Sequence, residues 1–439
     1  MARLGTAAGR GTTWTVALFG GSMVLRLVST LVLTRLLFPE AFGLMALVSV
    51  FLFGLEMLTD AGIHQSIVRH QRGEEMVFLN TAWTLQVVRG IALFLCACLI
   101  ADPIASLYSQ PQLAALIPAA ATSILLLGFR SMSISLANRR MEFARPAILE
   151  FAGSIASLAV TIAAAVLLRS VWAIVIGSFV GAALRLVGSY TYVKGPVCRL
   201  LIDRVALAEI LSFGKWIFLS SLITFIAMQG DKLLFGDLIP LALLGSYAIA
   251  EQLSRLIRQV SEEIAGRVVF PMLSTAHHRA PDTIRGLLSS AQKWLNLIVL
   301  GAGIMSGAGL LVIEVLYDER YAPAGWMLQI LCAKTAIAAA MRAGSNCLVA
   351  TGHPYYGAAE QFATACLLVV GVLATFSSFG VVGVVTMVAI AEVGGYLVIQ
   401  IGLVRNGYFS WNSTLMSYVM YGVGFLIGHA LCWLVLPRA

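Results

Sequence analysis

The sequence predicts an all-α polytopic membrane protein: two six-helix lobes related by pseudo-two-fold symmetry plus about one extra C-terminal helix, roughly 12 to 14 transmembrane helices in all. Three observations predict it. Of 439 residues, 59% are hydrophobic and only 11% charged, with a mean hydropathy of +0.90, outside the range of soluble domains. The apolar residues fall into runs of about 20, the length that crosses a hydrocarbon core. A weak internal repeat recurs at about half the chain length.

Taken in order, the runs place helices near 14–37, 41–60, 78–101, 113–136, 146–168, 171–193, 211–236, 240–263, 288–316, 324–349, 355–377, 381–404 and 413–436. They are rich in Leu, Ala and Gly and lack the two-residue alternation of an outer-membrane barrel. Arg3 and Arg10 precede the first run, which is too long for a signal peptide and leads directly into the second, so it reads as an uncleaved first span. No connection exceeds about 25 residues, so no soluble catalytic domain sits in a loop. The segment Ile63 to Arg72 reads as a cationic loop, with an amphipathic surface helix as the alternative.

The net charge of +8 has a topological cause. Arg69 and Arg72, Arg139, Arg140 and Arg145, Lys194, Arg199 and Arg204, and Arg267, Arg279 and Arg285 follow even-numbered spans. Positive loops face the cytoplasm, so the N-terminus is expected to be cytoplasmic. The seven cysteines show no CxxC pair and read as small packing residues. No P-loop, nucleophile elbow or metal-spaced His/Cys/Asp cluster is present, and no cofactor is expected.

The repeat pairs Thr34-Arg35-Leu36-Leu37-Phe38 with Asp231-Lys232-Leu233-Leu234-Phe235, and Leu107-Tyr108 with Leu316-Tyr317. Six helices per half gives both halves the same orientation, the parallel-repeat arrangement of transporters. The expected division is an N-terminal lobe 1–193, a cytoplasmic linker 194–209, a C-terminal lobe 210–405 and an extra terminal helix 406–439.

Three stretches carry a family resemblance. Arg26 through Gly62 reads RLVSTLVLTRLLFPEAFGLMALVSVFLFGLEMLTDAG, an opening helix pair with a Pro-Glu-x-Phe-Gly turn. Gly230-Asp231-Lys232 through Gly245-Ser246-Tyr247 opens the second half, and Val315-Leu316-Tyr317 through Leu331, then Ala350-Thr351-Gly352, follows. Over roughly residues 10–405 the chain resembles the polysaccharide transport (Wzx-type oligosaccharide flippase) family of the multidrug/oligosaccharidyl-lipid/polysaccharide (MOP) flippase superfamily. An odd thirteenth span departs from the family's usual even count. The resemblance implies translocation of undecaprenyl-diphosphate-linked oligosaccharide (an O-antigen, exopolysaccharide or capsule repeat unit) across the bacterial inner membrane, by alternating access coupled to an ion gradient.

Charges inside apolar spans are costly and usually line a pathway, and a cation excess suits an anionic cargo. The candidate substrate-binding residues are Arg26, Arg89, Arg255, Arg258, Arg342 and Lys334. Glu251, Arg255, Arg258 and Glu262, spaced four, three and four apart, share one helical face. Its plain alternative is a self-neutralising ladder; that for Arg26 and Arg89 is pairing with Glu56 or Asp60. Candidates for ion coupling or gating are Glu56, Asp60, Asp231, Lys232, Glu251 and Glu360, with Glu150, Glu314 and Glu392 as further acids; the plain alternative for Asp231 and Lys232 is an anchor at the outer interface. Arg185 and Lys215 lie near span ends and suit snorkelling.

The expected partners are the lipid-linked oligosaccharide, membrane lipids and, as candidates, a polysaccharide polymerase and glycosyltransferases; no nucleic acid is expected. A lipid II flippase shares the diphosphate logic, and a MATE-like multidrug extruder would favour buried acids over arginines. A membrane polysaccharide polymerase or glycosyltransferase would need a long catalytic loop, so the chain reads as a transporter and not an enzyme.

Overall fold

A computed structural model describes residues 20–58 and 62–435, with backbone alone for 211–223. The described residues form helices and no strand. They are α1 (20–36), α2 (Pro39–Leu58), α3 (Ile63–Arg69), α4 (Met76–Leu107), α5 (Leu113–Gly128), α6 (Ser133–Arg139), α7 (Ala144–Leu168), α8 (Trp172–Thr191) and α9 (Arg204–Leu238). There follow α10 (Leu241–Ile264), α11 (Phe270–Arg279), α12 (Ile284–Gly307), α13 (Gly309–Leu316), α14 (Ala324–Ala350), α15 (Tyr355–Arg405) and α16 (Trp411–Val435). Among the described residues eight helices are long and apolar enough to cross a membrane, α2, α4, α7, α8, α12, α14, α15 and α16, or nine counting α5–α6 as one broken span. The chain is therefore a multi-pass membrane protein. It divides into two compact units, one of Met1–Leu37 with Leu47–Leu222, the other of Phe38–Ala46 with Ile223–Ala439.

In the first unit α4 packs on α5 and α7 on α8. Gly90 and Gly128 let α4 and α5 touch: a Cβ on Gly90 would lie 2.9 Å from the Gly128 Cα. Contrary to one expected span over 113–136, the helix breaks after Gly128 and resumes at Ser133 with a 60° bend. The break is stable because side chains replace the lost ladder bonds. The Gln86 amide donates to the carbonyls of Gly128 (3.0 Å) and Arg130 (3.1 Å), the Tyr190 hydroxyl to that of Phe129 (2.7 Å), and the Ser131 N–H to Ser189 Oγ (3.0 Å).

The 63–72 loop expectation is also corrected. Ile63–Arg69 is a short helix whose Ile63 and Ile67 are buried in a core with Phe78, Leu79 and Met132. Arg139 from α6 donates to the carbonyls of Ile67 (2.7 Å) and His70 (2.5 Å), supplying the partners that the helix end lacks.

In the second unit α14 is central, packing against α10, α12 and α15. The 51 residues of α15 would span about 77 Å as one straight helix, but Gly380 at φ 55°, ψ −142° turns the chain. Close approaches of Gly371 to Met387 and of Gly395 to Thr364 and Glu360 show the two limbs lying antiparallel, as the expected spans 355–377 and 381–404 require. The expected 288–316 span is two helices meeting at Ala308. Beyond the expected 240–263 span, α10 runs through a π turn, Ala265–Val269, into α11.

The terminal helix α16 is integral to this unit. Gly303 and Gly307 on α12 face Gly424 and Gly428 on α16, and a Cβ on Gly428 would lie 2.1 Å from the Ile304 carbonyl oxygen. Two Gly-x-x-x-Gly motifs thus bring the backbones into contact, the close packing that holds helices together in lipid. Elsewhere in the unit the start of α2 meets α10, where a Cβ on Gly245 would lie 1.9 Å from the Pro39 carbonyl oxygen.

Candidate functional site

The second unit gathers most of the expected charges along one face of α10. Near the end of α9, Asp231 and Lys232 project toward α10 at different heights, as adjacent helical residues must. Asp231 accepts from the Tyr247 hydroxyl (2.5 Å) and from the Lys232 N–H (2.8 Å). The Lys232 ammonium pairs with Glu251 Oε2 at 2.7 Å and donates to Gln229 Oε1 at 2.9 Å. Asp231 and Lys232 are 3% and 6% exposed, buried within the protein. Burial on this scale costs several kcal/mol per ion, roughly, unless each charge is paired and hydrogen-bonded, and here each is.

One turn further along, Glu251 Oε1 accepts from Arg255 at 2.5 Å. Arg258 lies 3.7 Å from Glu262, and Arg342 reaches the same carboxylate from α14 at 3.3 Å. The four-three-four spacing therefore forms a partial ladder, entered by Lys232 from one side and Arg342 from the other. It does not neutralise fully. Arg255, Arg258 and Lys334 converge with Glu251, Ser254 and Thr335 on a cleft between α10 and α14. The Nε atoms of Arg255, Arg258 and Arg342 are buried without a hydrogen-bond partner among the described residues. Guanidinium groups with unused donors are suited to a forked anion such as phosphate. The cleft has ≈ 10 Å³ of free volume, room for about one water.

Glu360 on the first limb of α15 is buried and accepts from the Ser345 hydroxyl of α14 at 3.2 Å. This places a carboxyl group on the α14–α15 contact.

Of the first-unit candidates, Arg26 is exposed on α1, its carbonyl accepting from the Thr30 hydroxyl at 3.0 Å. Arg89 on α4 donates to the backbone carbonyl of Glu56 on α2 at 2.5 Å. This bond joins α4 to the main chain of α2. Asp60 lies outside the described residues, as does the side chain of Lys215.

Sequence reading missed Tyr247 and Gln229, which complete the buried ion pairs, although Tyr247 sits in the same stripe one turn before Glu251. It also missed a cluster in the first unit, where Glu150 stands between Arg130 and Arg185. Nothing in the sequence spacing joins those three, because each comes from a different helix or loop. Among the described residues no group of His, Cys, Asp and Glu is arranged to hold a metal ion.

Comparison with known proteins follows the same lines. A family model described as polysaccharide biosynthesis protein matches residues 32–325. The chain is 26% identical over 326 residues to the succinoglycan biosynthesis transport protein ExoT of Rhizobium meliloti (strain 1021), covering 73% of this chain and 65% of that protein. It is 23% identical over 315 residues to the lipopolysaccharide biosynthesis protein WzxC of Escherichia coli (strain K12), covering 70% and 63%. The aligned stretches thus span less than two thirds of either relative's length. The inward-closed structure of lipid II flippase MurJ superposes with a TM-score of 0.69 at 14% identity, covering 97% of this chain and 99% of that one. An inward-facing multidrug resistance MATE family transporter of the MOP superfamily gives 0.64 at 14% identity, covering 93% and 95%. At these identities the likeness concerns the fold, an all-α two-lobe membrane transporter.

Proposed function

This chain belongs to the polysaccharide biosynthesis protein family, and from that membership we propose that it is a flippase for an undecaprenyl-diphosphate-linked oligosaccharide in the bacterial inner membrane, with a cytoplasmic N-terminus. The named relatives act in succinoglycan and lipopolysaccharide biosynthesis, which supports a glycan cargo. The observation that carries the reading is the convergence of Arg255, Arg258 and Lys334 on one cleft, with Arg342 behind Glu262 and guanidinium donors unused. Arg26 and Arg89 are the first-unit cations assigned to the same pathway.

In this mechanism the diphosphate exchanges with Glu251 and Glu262 as the anion that the arginines hold. Because the cleft admits about one water, loading requires α10 and α14, two helices of the same lobe, to part, a rearrangement within that lobe which accompanies the lobe rocking of alternating access. The lobes in this reading are 1–193 and 210–405, joined by 194–209, with 406–439 as the added helix. Direction comes from an ion gradient, with Glu360 as the coupling acid, since a carboxyl in a low-dielectric site binds and releases a proton readily. Polymerase and glycosyltransferase partners would consume and supply the cargo.

The fork of cations favours this reading over a multidrug extruder, whose cationic cargo would be repelled by it. Arg26→Ala, Arg255→Ala and Arg258→Ala are each expected to abolish polysaccharide export in cells at normal protein level. Unchanged export in all three would overturn the assignment.

A further inference from the structure

A second cationic fork lies wholly within the first unit, built at the break between α5 and α6. The break turns Arg130 out of the helical path, while the Gln86, Tyr190 and Ser189 side chains hold its backbone in place. Arg130 there meets Glu150 of α7, bonding to Oε1 through Nη2. The other oxygen, Oε2, lies 2.8 Å from Nε of Arg185 on α8. Each carboxylate oxygen thus pairs with a different guanidinium, Arg130 through a hydrogen bond and Arg185 through an ion-pair contact in which its buried Nε–H makes no hydrogen bond.

Arg185 is itself seated. Its Nη2 donates to the Ser154 hydroxyl at 2.9 Å. A Cβ on Gly153 would lie 2.7 Å from its Cγ and 2.8 Å from its Nε, so the side chain occupies a groove that exists because residue 153 is glycine. The two arginine side chains are 20% exposed and the Glu150 side chain 47% exposed, so the anion is the accessible member of the cluster. Arg130 Nε remains buried without a hydrogen-bond partner. The site is a net-positive fork whose own anion faces outward.

We propose that Arg130 and Arg185 form a phosphate-binding fork in which Glu150 occupies the place of a cargo phosphate, and that the diphosphate of the lipid-linked cargo displaces Glu150 on binding. The proposal rests on the flippase reading above. A phosphate presents two oxygens spaced much as those of a carboxylate, so it meets both guanidinium groups without moving them. It also carries more charge and a third oxygen, for which the unused Arg130 Nε–H is a donor. Glu150 then acts as a resident competitor that keeps two partly buried cations satisfied when no cargo is bound.

The test is binding of undecaprenyl diphosphate to the purified full chain in detergent, measured by native mass spectrometry, with phosphatidylglycerol as the second probe. Glu150→Gln removes the competitor and is expected to tighten undecaprenyl diphosphate binding several-fold. Arg130→Gln and Arg185→Gln are each expected to weaken it on the order of tenfold, the value of a charge-assisted hydrogen bond. Arg130→Lys and Arg185→Lys, which keep the charge and lose the fork, fall between.

A Glu150→Gln protein that binds unchanged or more weakly, in step with the arginine variants, overturns the proposal and makes the cluster a structural ion triad. Phosphatidylglycerol affinity that moves in parallel with every variant also overturns it, in favour of a bulk lipid headgroup site. Failure of the unmodified protein to bind undecaprenyl diphosphate at all would instead refute the flippase reading.

Discussion

Replacing Glu251 with Gln tests the buried ion network directly. Glu251 is the shared anion of Lys232 at 2.7 Å and Arg255 at 2.5 Å, and its side chain is 14% exposed against 7% for Lys232 and 34% for Arg255. At about 4 Å and an effective dielectric of about 20, one such pair is worth roughly 4 kcal/mol before desolvation. Glu251→Gln keeps the shape and removes the charge, leaving Lys232 with neutral acceptors only, Gln229 and the introduced amide, and Asp231 committed to Tyr247. Removing one member of a buried pair costs about 3–5 kcal/mol, because the remaining charge stays desolvated. Arg255 contributes less of this, since its greater exposure lets water screen it.

The assay is thermal or denaturant unfolding of the purified protein in nanodiscs, with Lys232→Met and the double variant Lys232→Met/Glu251→Gln alongside. The double variant removes both charges and is expected to recover most of the loss, giving a coupling of several kcal/mol. If Glu251→Gln unfolds with the unmodified protein, or the double variant is as unstable as the sum of the singles, the pairing argument is wrong.

Three further outcomes follow from the geometry. Gly428→Val places a branched side chain where a Cβ already meets the Ile304 carbonyl oxygen at 2.1 Å, so α16 must shift from α12; a loss of at least about 1–3 kcal/mol and protease sensitivity of the C-terminal segment are expected, read by limited proteolysis. Gly245→Leu, with 1.9 Å to the Pro39 carbonyl oxygen, separates the start of α2 from α10 and lowers folded yield, which fluorescence-detected size exclusion measures. Glu74, in the loop before α4, has its carboxyl held below the usual 4.5 chiefly by a hydrogen bond from Arg140. The stabilisation from that bond is complete above 4.5 and disappears as pH falls through the lowered value, so Glu74→Gln removes a pH dependence confined to the acid side, visible as converging unfolding temperatures below it.

Apolar periodicity and length determined the helices. The expected spans at 146–168, 171–193, 324–349 and 413–436 lie within one or two residues of α7, α8, α14 and α16 at most of their ends, because in lipid a helix must satisfy its own backbone and its length is set by the membrane. Helical spacing likewise determined that Glu251, Arg255, Arg258 and Glu262 share a face, a local consequence of the 3.6-residue turn. The paired Gly-x-x-x-Gly motifs of α12 and α16 were present in the sequence, but which glycine pair met which depends on the packing.

Only the tertiary structure decided the partners. That Lys232 takes Glu251, that Arg342 reaches Glu262 from α14, and that Arg130, Glu150 and Arg185 meet at a broken helix are contacts between segments separated by up to 80 residues. The break itself needs Gln86 of another helix to satisfy its carbonyls, a condition no local pattern expresses. Sequence sets what each segment must bury or satisfy, and the folded arrangement selects which of many equivalent charges and hydrogen-bonding groups does so.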